Sequence, residues 1–110
     1  MSDVTQPKVR DFTPEEVARG TREGRMLLVD VREPSETMVE SYPDAVVVPL
    51  STFDPASIPV SEGKEVVFAC RSGKRSVTAS LAAQERGYRY DGHLAGGIIA
   101  WKAAGFPTKT

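Results

Sequence analysis

One cysteine and one histidine are all that the 110-residue chain has of thiol and imidazole. A single cysteine cannot close an internal disulfide, and one Cys with one His falls short of the four ligands of a structural zinc site. No metal is therefore expected, and the thiol is read as free, as in a reducing compartment. No stretch approaches the roughly 20 apolar residues that span a bilayer, and the opening "MSDVTQPKVRDF" lacks the apolar core of a signal peptide. A cytoplasmic protein without a membrane partner is the expectation. A dominant charge is missing too, with 14 basic against 15 acidic residues and a formal net charge of −1. Without a global positive field, nucleic acid is not an expected partner. Any positive potential that matters must be local. Repeats and low-complexity tracts are also absent. The length suits one domain over residues 1–110, monomeric, with a polar, frayed segment at 1–7.

What is present reads as strands alternating with helices. "FTPEEVARGTREG" opens a helix with Thr13 as N-cap, Pro14 in the first helical position and Glu15 and Glu16 at the positive end of the dipole; Gly24 stops it. "RMLLVDV", "AVVVPL" (45–50) and "EVVFA" (65–69) are short apolar runs, as expected of strands buried on both faces. Glu33-Pro34 opens a short helix or turn over 33–41, and "STFDPASIPVSEGK" must be irregular or short helical turns. "KRSVTASLAAQERG" is a helix ended by Gly87, with Val77, Leu81 and alanines 79, 82 and 83 as its packing residues. "YRYDGHL" is a weaker strand, and "GGIIAWKAAGFP" a last helix stopped by Gly105 and Pro107. The fold class is α/β: a mostly parallel sheet of four to five strands with helices on both faces, in three layers.

The chemistry is expected in "VVFACRSGKRS", residues 66–76. Cys70 ends a buried strand, and ligands of open parallel sheets bind beyond the carboxyl ends of the strands. Gly73 permits backbone angles that let successive amides turn toward one point. The next helix adds its positive pole there, and Arg71, Lys74 and Arg75 add up to three charges. A helix N-terminus with adjacent cations lowers a thiol from about 8.5 to roughly 3.5–7.5, so Cys70 is expected to be a thiolate at neutral pH. The bland reading is that a lone cysteine is inert packing. Its position, the glycine and the basic loop outweigh that reading. Cations against a helix N-terminus are mildly unfavourable, which makes better sense if an anion sits among them.

Rival motifs fail on spacing. A P-loop needs glycine where Phe68 stands and Ser or Thr where Arg75 stands. A dithiol motif lacks its second cysteine. Cysteine phosphatases place five residues between Cys and Arg; here there are four, a tighter cradle for a tetrahedral phosphate. Asp30, Glu33 and Asp44 are the carboxylates available to such an enzyme as general acid.

"LLVDVREPSE" (27–36), "VVFACRSGKRS" (66–76), "ERGY" (85–88) and "LAGGIIAWKAAGFP" (94–107), in this order and spacing, resemble the rhodanese family in its single-domain form. The likeness runs from about Phe12 to Pro107. It implies a sulfurtransferase in which Cys70 is the persulfide-forming cysteine and residues 70–75 are its loop: Arg71, Ser72, Gly73, Lys74 and Arg75 would bind a small anionic sulfur donor. Thiosulfate suits the basic loop best. The acceptor would be a thiol, a protein cysteine or cyanide, with no cofactor. Asp30 and Arg32 match the family's Asp-x-Arg and are expected to brace the loop. Gly96 and Gly97 would form a turn and helix start beside it, and Trp101 would belong to the core. His93 is expected at the surface or hydrogen-bonded, without a partner that makes it a base. The departure from the family is "ESYPDA" (40–45), where Ser41 and Asp44 replace the usual His and Gly; it bears on substrate access from that side. A phosphatase or arsenate reductase, and a sulfur-carrier or docking module without turnover, are the alternatives.

Overall fold

The computed structural model describes residues 8–110, so the expectation for 1–7 falls outside the described residues. Five strands form one sheet: β1 (Arg10–Phe12), β2 (Met26–Asp30), β3 (Val46–Val47), β4 (Glu65–Ala69) and β5 (Gly92–Leu94). Their order is β1-β5-β4-β2-β3, and every pairing is parallel. Four helices connect or follow them: α1 (Pro14–Arg22), α2 (Pro34–Thr37), α3 (Lys74–Glu85) and α4 (Gly97–Ala103). Two 3-10 turns, Leu50–Thr52 and Pro55–Ser57, occupy the proline-rich segment. Among the described residues, no helix is long and apolar enough to cross a membrane.

Alternating side chains of the central strands split the core in two. Leu28, Val67, Ala69 and Leu94 face one side, where Val17 of α1 and Ile98 and Trp101 of α4 cover them. Val29, Val66 and Phe68 face the other, against Ala79 and Ala83 of α3. That is the expected three-layer α/β arrangement. Local signals hold as well. The Thr13 hydroxyl accepts the Glu16 N–H while the Glu16 carboxylate accepts the Thr13 N–H, a capping box that satisfies two otherwise unpaired donors.

Two expectations need correcting, and one strand was not expected. "AVVVPL" is not a strand buried on both faces: only Val46–Val47 pairs, at the sheet edge, and Val47 is 41% exposed. An edge strand has a neighbour on one side only, so its apolar run is only half covered. The buried side of α3 is Ser76, Ala79, Ser80 and Ala83; Val77 is half-buried and Leu81 exposed. Small residues bring the helix close to the sheet, and the larger apolar ones point away. Finally, β1 is a strand that the sequence pattern does not announce. Arg10–Phe12 has no apolar run and exists through its pairing with β5, Asp11 beside His93.

Candidate active site

Cys70 follows the last residue of β4, and the chain turns at once into α3. Gly73, the N-cap of α3, has φ of +103°, a region that other residues rarely adopt. This turn aims donors back at the sulfur. The Gly73 N–H lies 3.1 Å from Cys70 Sγ, the Ser76 N–H 3.4 Å and the Ser76 hydroxyl 3.6 Å. The thiol is 1% exposed and packs in the apolar cluster beneath α3. Burial pushes its pKa up, but the Ser76 hydroxyl and the amides of Ser76, Gly73 and Ser72 outweigh it, and the thiol lies below its ordinary value. The expected direction stands, and the expected amides act together with the Ser76 hydroxyl, which the sequence does not single out, while Arg71 and Lys74 are exposed. A sulfur anion in this cup is stabilised before any substrate arrives.

α4 clamps the loop from the other side. The Ile98 N–H donates to the Cys70 carbonyl at 2.9 Å, and the Ile99 N–H to the Arg71 carbonyl at 3.2 Å. The Tyr42 hydroxyl adds a bond of 2.7 Å to the same Cys70 carbonyl. So close an approach leaves no room for a side chain at Gly97, where a Cβ would stand 2.3 Å from the Arg71 carbonyl oxygen. Gly97→Ala is expected to destabilise the domain by about 1–3 kcal/mol and to lower activity about ten- to a hundredfold by displacing the loop. Urea unfolding and turnover, measured together, check both; an unchanged rate would separate the clamp from the chemistry.

The remaining predicted residues lie around this cup in distinct roles. Arg75 forms a bidentate pair with Glu36 of α2, at 2.6 and 2.9 Å. The Arg75 guanidinium holds the Glu36 carboxyl down at about 2. Arg75 thus ties α2 to α3, and its positive charge is shared with Glu36. Asp30 and Arg32 form a buried ion pair with Nη2–Oδ2 at 2.7 Å; the Arg32 backbone N–H also donates to Asp30. Burial alone would depress the Arg32 pKa, but the Asp30 carboxylate more than offsets it. Arg32 further donates to the Glu40 carbonyl and lies over the Tyr42 ring, 5.5 Å from its centre. Through Tyr42 the pair braces the Cys70 carbonyl without touching the sulfur. Ser72 is exposed, and Lys74 opens α3.

Residues outside the predicted set also meet here. Ser76 donates its N–H to the sulfur and accepts the thiol at its hydroxyl oxygen, and its position just after the basic loop is the only sequence signal for it. His93 is 5% exposed and lies between Ser76, with Nδ1 2.8 Å from its hydroxyl, and Asp11, with Nε2 2.7 Å from its carboxylate. It is therefore a buried, hydrogen-bonded residue with partners on both ring nitrogens. No spacing rule joins positions 11, 76 and 93.

Residues 13–104 match the family described as the Rhodanese-like domain. The chain belongs to the rhodanese family. A protein of Synechocystis named as uncharacterized is 39% identical over 98% of this chain; the match covers 60% of that protein's length. A protein of Allochromatium vinosum named sulfurtransferase is 38% identical over 74% of this chain and 77% of its own. The crystal structure of a rhodanese-related protein from Thermoplasma volcanium superposes with a TM-score of 0.77 at 23% identity, covering 91% of this chain and 97% of that one, which supports the fold alone.

In this rhodanese domain the carboxyl ends of the strands carry the thiol loop. A concavity of about 410 Å³ lies elsewhere, lined among others by Met26, Lys64, Trp101 and Phe106. Met26 begins β2 and Lys64 precedes β4, so it opens at the amino ends of the strands and contains none of residues 70–76. The donor cluster around Cys70 and that cleft lie at opposite ends of the strands.

Proposed function

We propose that the chain is a sulfurtransferase that moves a sulfane sulfur from thiosulfate, through a persulfide on Cys70, to a thiol or protein cysteine, or to cyanide in an assay. The observation that carries this reading is the pair of N–H groups, of Gly73 and Ser76, that converge on Cys70 Sγ, with the Ser76 hydroxyl 3.6 Å away. The thiolate attacks the outer sulfur of thiosulfate, the S–S bond of the donor breaks, and sulfite leaves with the electron pair. An acceptor thiolate then attacks the outer sulfur of the persulfide, and Cys70 departs as the thiolate that the cup already favours. Arg71 and Lys74, exposed at the loop, attract the doubly charged donor; Arg75 acts from further off through its field. No cofactor takes part in either step. The thiol lies beneath the loop, which suits a donor that offers one terminal sulfur atom. The sulfurtransferase name of the Allochromatium relative agrees with this reading.

The three carboxylates considered as the general acid of a phosphatase are engaged or remote. Asp30 is bound to Arg32, Glu33 accepts from Ser51, and Asp44 borders the distant concavity. Intact mass spectrometry after thiosulfate treatment tests the proposal: a gain of about 32 Da on Cys70, removed by cyanide or reductant, is expected of a persulfide. No gain, together with hydrolysis of an aryl phosphate, would replace the sulfurtransferase with a phosphatase. A carrier without turnover would gain the mass and fail to cycle.

A further inference from the structure

The two half-reactions leave one buried titratable side chain unused. His93 of β5 faces α3, on the side of the sheet opposite Leu94. Its Nε2 is 2.7 Å from Asp11 Oδ1 and its Nδ1 2.8 Å from Ser76 Oγ, which lies 3.6 Å from Cys70 Sγ. The four side chains make one continuous line from an exposed carboxylate, 73% accessible, to a sulfur that is 1% accessible. Parallel pairing of β1 with β5 places Asp11 beside His93, and the first turn of α3 brings Ser76 over both.

The hydrogens along this line have two self-consistent arrangements. A carboxylate only accepts, so Nε2 carries a hydrogen in both. When the ring is neutral, Nδ1 accepts from the Ser76 hydroxyl, and the thiol S–H donates to Ser76 Oγ. When the ring is charged, Nδ1–H donates to Ser76 Oγ, and the Ser76 hydroxyl donates to the thiolate. The Gly73 carbonyl, 3.2 Å from Ser76 Oγ, is the one competing acceptor for that hydroxyl among the described residues.

We propose that His93, oriented by Asp11, is a positioning residue that takes up the Cys70 proton through the Ser76 hydroxyl. The S–H bond breaks and its proton passes to Ser76 Oγ, while the proton of Ser76 passes to His93 Nδ1. One proton moves in net terms: thiol and neutral imidazole become thiolate and imidazolium, and Asp11 stays a carboxylate. The relay rests on the sulfurtransferase reading for its purpose, since it readies Cys70 for attack and pairs the thiolate that returns after each transfer. It also answers how a thiol so deeply covered can lose a proton without direct contact with solvent. Charges on the facing elements are otherwise engaged or remote from the ring's bonds. Arg10 of β1 is tied to Asp91 and Glu65, and Arg75 of α3 to Glu36, while Lys74 and Arg71 are exposed and form no ion pair among the described residues. Asp11 is the charged group bonded to the ring.

His93 is the only histidine of the chain, so ¹⁵N-histidine labelling of the untagged protein reports on it alone. Thiolate ultraviolet absorbance reports on Cys70. In the native protein the ring should carry the ¹⁵N signature of an imidazolium where thiolate absorbance first appears, because the first proton lost by the pair leaves a thiolate beside a charged ring. His93→Gln should lower the Cys70 ionisation constant about tenfold, a shift of about one pH unit, and should have no further effect in a Ser76→Ala background. Asp11→Asn, at an exposed position that tolerates the change, should lower it about threefold, less because solvent screens that carboxylate. A ring already neutral where thiolate absorbance first appears, or a thiol transition that His93→Gln and Asp11→Asn leave in place, would overturn the relay. Persulfide formation is read independently by mass, so the relay can fail with sulfur transfer intact, and the reverse.

Discussion

Exchanging Cys70 for serine is expected to remove sulfur transfer, lowering turnover by about four or more orders of magnitude, while the domain stays folded. A serine hydroxyl is not ionised at neutral pH, so the amides of Gly73 and Ser76 have no anion to hold. Oxygen also cannot store a sulfane sulfur in an exchangeable bond, so neither half-reaction has its intermediate. The fold should persist because the change is small in volume and the same N–H groups can donate to the new hydroxyl; a cost of about 1 kcal/mol is typical of a single substitution. After thiosulfate treatment the Cys70→Ser protein should carry no added sulfur, and its circular dichroism should match the native protein. Transfer retained in this variant would move the reaction away from the loop altogether.

Asp30→Ala is expected to cost about 3–5 kcal/mol of stability, because it strands a buried guanidinium without its counter-charge. The Arg32 side chain is 5% exposed. A domain of this size has about 5–15 kcal/mol in hand, so the loss is a large part of the whole. The damage should also reach the site. Arg32 stacks on Tyr42, and the Tyr42 hydroxyl bonds the Cys70 carbonyl at 2.7 Å, so a displaced Arg32 loosens the loop that aims the amides. Urea midpoints of Asp30→Ala and Asp30→Asn distinguish charge from shape. Asparagine keeps part of the hydrogen bonding, and its loss should be smaller. A cost below about 1 kcal/mol for alanine would place this pair with ordinary surface ion pairs.

Elements specified by local rules were readable in the sequence. The Thr13 cap, the apolar runs of β2 and β4, and the glycine that turns the chain at 73 each depend on a few neighbouring residues, and the structure has them in the expected places. Cys70 at the end of β4 follows from the same kind of signal. What stayed hidden depends on partners far along the chain. β1 is three residues with no pattern of their own, bonded to β5 some 80 positions away. Arg75 reads as one cation of a basic loop until Glu36, 39 positions earlier, is seen to accept it. His93 reads as isolated because both of its partners are non-local, and one lies in that unannounced strand. The inward-turning amides were readable from Gly73, whereas the Ser76 hydroxyl beside the sulfur was not, because its place depends on how the first turn of α3 sits over the strand end.

The central physical claim is that main-chain amides and one serine hydroxyl hold the Cys70 sulfur as an anion in spite of its burial. Thiolate ultraviolet absorbance against pH, with Cys70→Ser as the blank, measures this without requiring a reagent to reach the sulfur. Because the folded thiol lies below its ordinary value, the anion is the species above the midpoint, and the stability it contributes is lost as pH falls through that midpoint. The account predicts a transition below the ordinary thiol value of about 8.5. A transition at or above that value would mean that burial wins over the donors and that the loop holds an inert thiol.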